Sequence, residues 1–506
     1  MKKIILFALV TALVFIGCQR QAAAPSGGDL YRDTLIWAQA ADVTNIDPHI
    51  GREATAIQVF LHIYDSLTKR TPSGDILPAI ATHWEELSPT SWRFYIREGV
   101  RFHDGTLLTA EDVKFSLDRA VNTPSVSVFV NWISSVTVES PYVVRIDKHY
   151  PYAPMLAQLS FPFIAIVPKH HVEPNNEILL TEPMGTGPYR FVHWRHGVEV
   201  ELAAFEDHWR GPPATRRLIM RVIPEAMQRV IALVTGEIDI VYEVPPVEIS
   251  SLQADPNIQI FSVAGFSIFH VTNNFNKPPL NNRLVLQAIS HAIDRQLIVD
   301  TIMAGAGRPA DSTITPAVFG YHSTGVHRYD PAYSRQLLAQ AGFPNGFETS
   351  IMVSPQQDRV DVTQAISEML RDVGITARVE ILEFGAFIQR GAAGEHDMRL
   401  AVWTTISGDA EYTFYAHNHS TQHGHAGNNA FISNPELDAL IMRGRQTAVI
   451  EERLEAYRLT TIMLQDLLPQ IPLFWPVINV GANSKVEGFV PDPGWYHWLY
   501  ETRIRN

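Results

Sequence analysis

The chain has 506 residues, a formal net charge of −13 at pH 7, 46% hydrophobic residues and 18% charged residues. No block of lysine and arginine occurs along it. This argues against a nucleic-acid partner, because binding to a phosphate backbone is driven by clustered positive charge. The length and the hydrophobic content suffice for a large core and predict about two to four domains.

The N-terminus has the pattern of a bacterial lipoprotein signal peptide, predicted over residues 1–18. Two lysines precede an apolar run from Ile4 to Ile16, which is too short to span a bilayer. Gly17 and Cys18 follow directly, and Cys18 is the only cysteine of the chain. We therefore predict lipidation of Cys18, followed by a flexible tether over residues 19–29. The alternative is a chance cysteine beside an ordinary signal peptide.

Strands and turns predominate from about Leu30 to Val271. Apolar and polar residues alternate over Ser91–Arg97, which predicts a half-buried strand. Thr109 and Asp112 form a capping-box pattern that opens a helix. Further predicted elements are a hairpin over Val136–Asp147, a helix over Pro224–Thr235 and a strand over Ile238–Val241. The pattern indicates strands packed with helices rather than a helix bundle.

Helical periodicity is stronger from about Pro279 to Pro476. Val285, Ile289, Ile293 and Leu297 recur at four-residue spacing and predict one long helix with a buried face. A strand, a helix and a strand that follow one another predict a βαβ unit over Ser350–Val353, Val360–Val373 and Thr376–Leu382. The remaining predicted elements are helices over Pro331–Ala341, from Asn434-Pro435 onward and near Glu451–Leu468, and a final strand over Pro472–Val480.

Motifs of enzymatic chemistry are absent from the sequence. It has no nucleophile elbow of the Gly-x-Ser-x-Gly type, no His-Glu-x-x-His motif and no glycine-rich phosphate loop, and we predict no cofactor. Because catalytic residues can also be assembled from distant positions, a secreted hydrolase stays open as an alternative. The two α/β lobes suggested by the pattern predict instead a ligand cleft between them.

One cluster could hold a metal ion. His417, His419, His423 and His425 lie close together, and imidazoles are ligands for nickel, zinc and copper. The segment also contains glycine, serine and asparagine, and no helical i, i+4 register or carboxylate partner supports a site. We therefore predict a histidine-rich polar loop without a metal, and keep a metal site in this loop as the alternative.

A family resemblance rests on ordered motifs along nearly the whole chain after the tether. The densest stretch runs from Ser91 to Ala120 and resembles the solute-binding proteins of the dipeptide, oligopeptide and nickel importers, family 5 of the bacterial extracellular solute-binding proteins. The other matching segments, in family order, are Asn45–His49, Ile63–Leu67, Gly185–Tyr189, Gly236–Asp239 and Gln287–Arg295. Most of these residues are glycines, prolines and helix caps, which identify a fold without naming a ligand.

The resemblance implies a mixed α/β, two-lobe fold of the Venus flytrap kind, similar to type II cluster C periplasmic binding proteins. The first lobe would comprise residues 30–71, 187–271 and 478–506, with an inserted subdomain over 72–186. The second lobe would comprise residues 272–477. By the same resemblance the lobes close over a ligand by a hinge.

The function that the resemblance implies is capture of short peptides, or of peptide-like solutes such as glutathione, for an ABC importer. The partners would be the permease subunits with their cytoplasmic ATPase, and the location would be extracytoplasmic, at a membrane, through the lipid anchor at Cys18. We predict a monomer, since a shuttle that opens and closes is most simply monomeric. A nickel or metal-chelate binder of the same family is the alternative.

The segment Val402–Tyr412 resembles the stretch in peptide-binding members in which an aspartate pairs with the α-ammonium of the peptide. This implies that role for Asp409, which follows Gly408, and a desolvated ammonium does require a fixed carboxylate. A turn or cap residue is the structural alternative for Asp409. Trp403 and Tyr412 are expected to pack on the ligand, with Tyr412 preferred over Glu411 as a contact.

Three further ligand-binding candidates, Gly51, Arg52 and Asn428, come from two other segments. Gly51 and Arg52 follow a motif that the resemblance places in a ligand-facing loop, although a surface arginine is the ordinary interpretation of Arg52. Asn428 falls in another segment near the cleft. No arginine matches a family motif for the peptide carboxylate: Arg378 and Arg399 are near, and neither lies in a clear motif.

Overall fold

The computed structural model describes residues 30–51, 53–424 and 427–506. Cys18, Arg52 and His425 therefore lie outside the described residues, and their predicted roles stay predictions. Within the described part of the chain, none of the helices combines the length and the apolar character needed to cross a membrane.

The helices are α1 (Ala54–Ile63), α2 (Ala110–Asn122), α3 (Pro124–Val130), α4 (Met155–Gln158), α5 (Lys169–Val172), α6 (Ala226–Val234), α7 (Ile249–Gln253), α8 (Arg283–Ala292), α9 (Arg295–Thr301), α10 (Pro331–Gln340), α11 (Gln357–Arg371), α12 (Phe384–Ala392), α13 (Ala410–Asn418), α14 (Pro435–Gln446) and α15 (Ile450–Leu467). Short 3₁₀ turns lie at Ile178–Leu180, Pro246–Glu248 and Ser420–Gln422.

The strands are β1 (Thr34–Gln39), β2 (Thr68–Arg70), β3 (Ile76–Pro78), β4 (Ala81–Ser88), β5 (Ser91–Ile96), β6 (Ile133–Ser140), β7 (Val143–Lys148), β8 (Tyr189–Arg195), β9 (Glu199–Ala204), β10 (Arg217–Val222), β11 (Ile240–Tyr242), β12 (Ile258–Ala264), β13 (Ser267–Asn273), β14 (Gly307–Pro309), β15 (Phe347–Val353), β16 (Ile375–Ile381), β17 (Met398–Thr404), β18 (Gln470–Asn483), β19 (Val486–Glu487) and β20 (Arg503–Ile504).

The large mixed sheet has two halves joined by long strands. Its order is β16-β15-β17-β13-β18-β11-β1-β10-β9-β8, with β12 and β14 also paired to β18. The first part of β18 pairs with β13, and its second part lies between β11 and β12. Because only two residues separate β12 from β13, two chain segments cross together from one half of the sheet to the other.

A separate antiparallel sheet, in the order β4-β5-β7-β6, is formed by residues 81–148. Its buried residues share one hydrophobic cluster with β1, α1 and the C-terminal residues after β18. A second cluster packs α8, α9 and α11 against β13 and β15–β17. The C-terminus returns to the first half of the molecule, where Arg505 forms an isolated antiparallel bridge with Tyr31.

Most local predictions are confirmed. The strand predicted over Ser91–Arg97 is β5, and the Thr109–Asp112 capping box opens α2 with both of its bonds present. The predicted βαβ unit is β15-α11-β16, whose two strands pair in parallel.

The single long helix predicted through Val285 and Leu297 is wrong, because the structure has two helices. The backbone is extended at Ile293, where α8 ends, and the Asp294 carboxylate accepts the Leu297 N–H at 3.0 Å to cap α9. Leu297 is 49% exposed, so it does not continue the buried face of α8. Apolar spacing alone carried no signal of this break.

Candidate functional site

A cavity of about 640 Å³ lies between residues on the side of the antiparallel sheet and residues of the other half of the large sheet. One wall comes from residues 124–131 and Gln158, and the opposite wall comes from Trp403, α13, the loop after α13, and Arg445. This volume is in the range of small-molecule sites, which are concave and lined by apolar surface with a few polar groups.

Three aromatic rings connect the two walls. The Phe129 ring of α3 stacks on Tyr412 at a centroid distance of 5.7 Å, and Tyr412 stacks on Trp403 at 5.2 Å. The indole N–H of Trp403 donates to Thr413 Oγ1 at 2.9 Å, which fixes the ring at the end of β17. Flat aromatic faces of this kind hold apolar or planar parts of a ligand without requiring one sequence.

A buried ion pair forms the polar part of the wall. Glu411 Oε1 lies 3.2 Å from Arg445 Nε, and the two side chains are 2% and 1% exposed. The Tyr152 hydroxyl, from the segment that precedes α4, donates to Glu411 Oε2 at 3.3 Å. Arg445 also covers the Tyr415 ring at 3.5 Å. Its Nη1 has no partner within hydrogen-bond geometry among the described residues.

Burial and the opposite charge act against each other on both pKa values of this pair. It raises the pKa of Glu411, although the Arg445 guanidinium acts in the opposite direction. Burial also acts to lower the pKa of Arg445, but the Glu411 carboxylate and the neighbouring tyrosines outweigh it, and that pKa is raised. The wall therefore offers a fixed cation beside a carboxylate that is held in an unfavourable, desolvated position.

Asp409 lies next to this wall but does not line the cavity. It caps α13 by accepting the Glu411 N–H at 3.0 Å, and it accepts from Arg453 Nη2 at 2.5 Å and from the Tyr457 hydroxyl at 2.9 Å. Its charge is thus already matched inside the protein. The preceding Gly408 has a φ of +72°, a left-handed conformation that favours glycine in this turn.

A family model that matches most of the chain identifies its family. The model of the bacterial extracellular solute-binding proteins, family 5 (middle region), matches residues 75–425. This chain belongs to that family. Two relatives of this family 5 chain are heme-binding protein A of Haemophilus influenzae and the dipeptide-binding protein of Escherichia coli, each 26% identical to it. The alignments cover 93% and 92% of this chain, and 92% and 94% of those proteins.

A solved structure gives the same result for the fold. The periplasmic binding protein DppA of Helicobacter pylori, in complex with the peptide STSA, superposes with a TM-score of 0.85 at 26% identity. The superposition covers 94% of this chain and 99% of that chain. The predicted family and the predicted two-lobe α/β fold of type II periplasmic binding proteins are therefore confirmed. The predicted lobe boundaries and ligand contacts stay predictions.

The structure brings some of the predicted ligand residues of this family 5 protein to the cavity and leaves others away from it. Trp403 and Tyr412 line it. Gly51 is buried against α1, where a Cβ would approach the Phe60 ring to 2.9 Å. Asn428 holds the loop after α13, since its Nδ2 donates to Ile432 O at 3.0 Å.

The three described histidines of the predicted cluster, His417, His419 and His423, do not form a group that could share a metal. Burial lowers the pKa of His417 well below its usual range and keeps the imidazole neutral. His419 Nδ1 bonds the Thr421 hydroxyl at 2.8 Å, and His423 Nε2 bonds Ile432 O at 2.8 Å. Among the described residues, the group close enough to share a metal lies elsewhere, at His193, Glu199 and Glu201.

Sequence reasoning missed two wall residues, Phe129 and Arg445. Phe129 belongs to a short helix that the sequence does not mark as ligand-facing. Arg445 lies in the last turn of α14, where a basic residue is expected simply from the helix dipole. An arginine 34 positions after Glu411 carries no local signal of pairing, so only the fold reveals it.

Proposed function

We propose that this family 5 protein captures short peptides, or peptide-like zwitterionic solutes such as glutathione, in the cleft and delivers them to the permease of an ABC importer. The observation that carries the proposal is the Glu411–Arg445 pair, which places a buried carboxylate and a buried guanidinium side by side on the cavity wall. A free peptide presents the complementary ammonium and carboxylate.

Each charge of the Glu411–Arg445 pair can bind the opposite charge of a ligand. A ligand ammonium beside Glu411 relieves the cost of burying that carboxylate, and a ligand carboxylate satisfies the open Nη1 of Arg445. Asp409 is the second candidate for the ammonium, as the family resemblance implies. It would have to share its carboxylate with Arg453.

We propose that the solute closes the two lobes and that two contacts between them take part. The Tyr152–Glu411 hydrogen bond and the Phe129–Tyr412 stack both join residues 72–186 to residues 272–477. A solute that adds contacts to both walls favours the closed arrangement, because a ligand shifts an equilibrium only through its differential affinity. The β12–β13 and β18 segments are the proposed hinge between residues 30–71, 187–271 and 478–506, with their insertion 72–186, and residues 272–477.

The relatives support a binding role rather than catalysis. One is described as a dipeptide-binding protein and others as glutathione-binding proteins, and the H. pylori structure holds a peptide. We further propose that the protein acts as a monomer outside the cytoplasm and is held at a membrane by a lipid on Cys18. Replacement of Cys18 by serine is then expected to release the protein from the membrane fraction, as detected by immunoblotting.

The experiment is thermal unfolding of the purified protein with di- and tripeptides, glutathione, Ni²⁺ and a nickel–histidine chelate. A native-state ligand raises the apparent midpoint. We expect a rise with free peptides that is reduced in Tyr412→Leu and retained in Tyr329→Leu, a matched change at an exposed tyrosine. A rise with nickel species alone would favour the metal-chelate alternative, and peptide fragments in the mass spectrum after incubation would favour the hydrolase.

A further inference from the structure

A second cavity, of about 160 Å³, lies behind Trp403. Trp403 and Gly427 border both this cavity and the cleft, so the two spaces share a wall. We call the second cavity the rear compartment. Its other lining residues are His270, Thr272, Ile388, Arg399, Ala401, Val402, His417, Asn429 and Gln470.

The sheet register builds the polar floor of the rear compartment. Arg399 of β17 is paired with Thr272 of β13, and Thr272 is paired in turn with Gln470 of β18. Side chains at paired positions project from the same face of a sheet. One row of three polar side chains therefore crosses three neighbouring strands at the centre of this half, where an apolar row would be expected.

Arg399 has no carboxylate partner for its charge within the described part of the chain. The residue is 6% exposed, and within residues 30–51, 53–424 and 427–506 its guanidinium forms no hydrogen bond and has no carboxylate oxygen within 4.0 Å. The aromatic ring of Phe387 lies 4.2 Å away. Gly391 leaves the space that the guanidinium occupies, since a Cβ there would overlap Nη1.

The other buried arginines show how unusual this is. In the described structure, each of them contacts a carboxylate or donates to a backbone carbonyl. These arginines are Arg70, Arg119, Arg229, Arg295, Arg445 and Arg453. A buried charge without a partner is strongly unfavourable, so proteins pair it or use it. Arg399 is therefore a cation that lacks its anion.

The surroundings keep the guanidinium charged and leave room for a counter-group. Burial lowers the pKa of Arg399 only to about 10. Burial and the nearby Arg399 charge lower the pKa of His270 to about 3, so this imidazole is neutral and does not compete for an anion. The amide oxygens of Gln470 and Asn429 are buried without a donor, and amide groups can turn over to present N–H groups instead.

We propose that the rear compartment is an oxyanion site of the cleft, in which Arg399 binds a carboxylate carried by an acidic arm of the solute. This inference rests on the proposed function, because the acidic group enters the compartment from a solute that is already bound in the cleft. A free inorganic oxyanion has the same chemistry and is the other source that the test must separate.

The test compares Ala-Glu-Ala with its isosteric amide Ala-Gln-Ala by calorimetric titration of the full protein. Hydrogen bonds to charged groups contribute about 1.5–3 kcal/mol, so we expect the acidic peptide to bind on the order of 10- to 100-fold more tightly. Arg399→Met should abolish this preference. Arg378→Met removes an arginine that is 76% exposed on β16, two strands away in the same sheet, and should leave this preference intact.

A protein that binds no peptide would overturn the proposed function. Two further measurements test the rear compartment even in that case. Arg399→Met removes an unpaired buried charge, so the ligand-free midpoint should rise, by about 2 °C for a chain of this size. Sulfate or phosphate that stabilises the native protein but not Arg399→Met would support the oxyanion site with a free anion as its source. A lower midpoint for Arg399→Met, together with no acid preference and no anion effect, would overturn the proposal.

Discussion

Replacement of Glu411 by glutamine probes the polar wall of the cleft with little change of shape. Glutamine keeps an oxygen that can accept from the Tyr152 hydroxyl, which lies 3.3 Å from Glu411 Oε2. It removes the charge that faces Arg445 at 3.2 Å. The substitution therefore separates the charge of the wall from its packing.

The magnitude follows from the burial of the pair. Removal of one partner from a buried ion pair costs about 3–5 kcal/mol, because the other charge is left unpaired. The retained amide oxygen and the Tyr415 ring, 3.5 Å from the Arg445 guanidinium, offset part of this cost. We expect a loss of about 2–3 kcal/mol, which corresponds to a midpoint lower by about 2–3 °C. Peptide affinity should fall about 10- to 100-fold through the lost ammonium contact.

The assay is thermal unfolding together with calorimetric titration of trialanine, for the native protein, Glu411→Gln and Asp409→Asn. Glu451→Gln, an exposed change on α15, is the matched control and should alter neither quantity. A Glu411→Gln protein that binds trialanine with native affinity would refute the reasoning. If Asp409→Asn alone loses affinity, the ammonium is held by Asp409.

Three other predictions concern stability. Burial lowers the pKa of several histidines below the usual 6.5, among them His49 and His62, lowered to about 4, and His270 and His497, lowered to about 3. The unfolded chain therefore takes up protons first, and the stability present above pH 6.5 should be lost toward pH 4 by about 1.4 kcal/mol per pH unit for each such histidine, measured as the unfolding midpoint against pH. Arg453→Met leaves Asp409 buried without its cation and should cost about 3–5 kcal/mol in urea unfolding, whereas Arg458→Met at an exposed pair should cost at most about 1 kcal/mol. Gly187→Ala places a Cβ 2.6 Å from the Ile63 backbone and should lower the yield of folded protein, as judged by circular dichroism.

The sequence predicted those parts of the fold that local physics decides. The Thr109–Asp112 capping box and the alternation over Ser91–Arg97 are short-range patterns, and the structure has the capping box and a strand over Ser91–Ile96. The break between α8 and α9 was missed because Ile293 keeps the apolar spacing while Asp294 starts a new helix. Caps of this kind are decided by a single side chain within a pattern that otherwise continues.

The site was less accessible from sequence because its charges pair over long distances. Asp409 was expected to face the ligand, and its partners Arg453 and Tyr457 lie 44 and 48 positions further on. Arg399 was noted only as a nearby arginine without a motif. Its lack of a partner becomes visible only when the three-strand register and the cavity behind Trp403 are known.

The most direct test of the proposed function is calorimetric titration of the protein with free trialanine and with trialanine that is acetylated and amidated at its ends. Blocking removes both charges that the Glu411–Arg445 wall is proposed to bind and leaves the backbone unchanged. We expect binding of the free peptide, and at least about 100-fold weaker binding of the blocked one. Equal affinity for both peptides, or binding heat with nickel species only, would contradict the proposal.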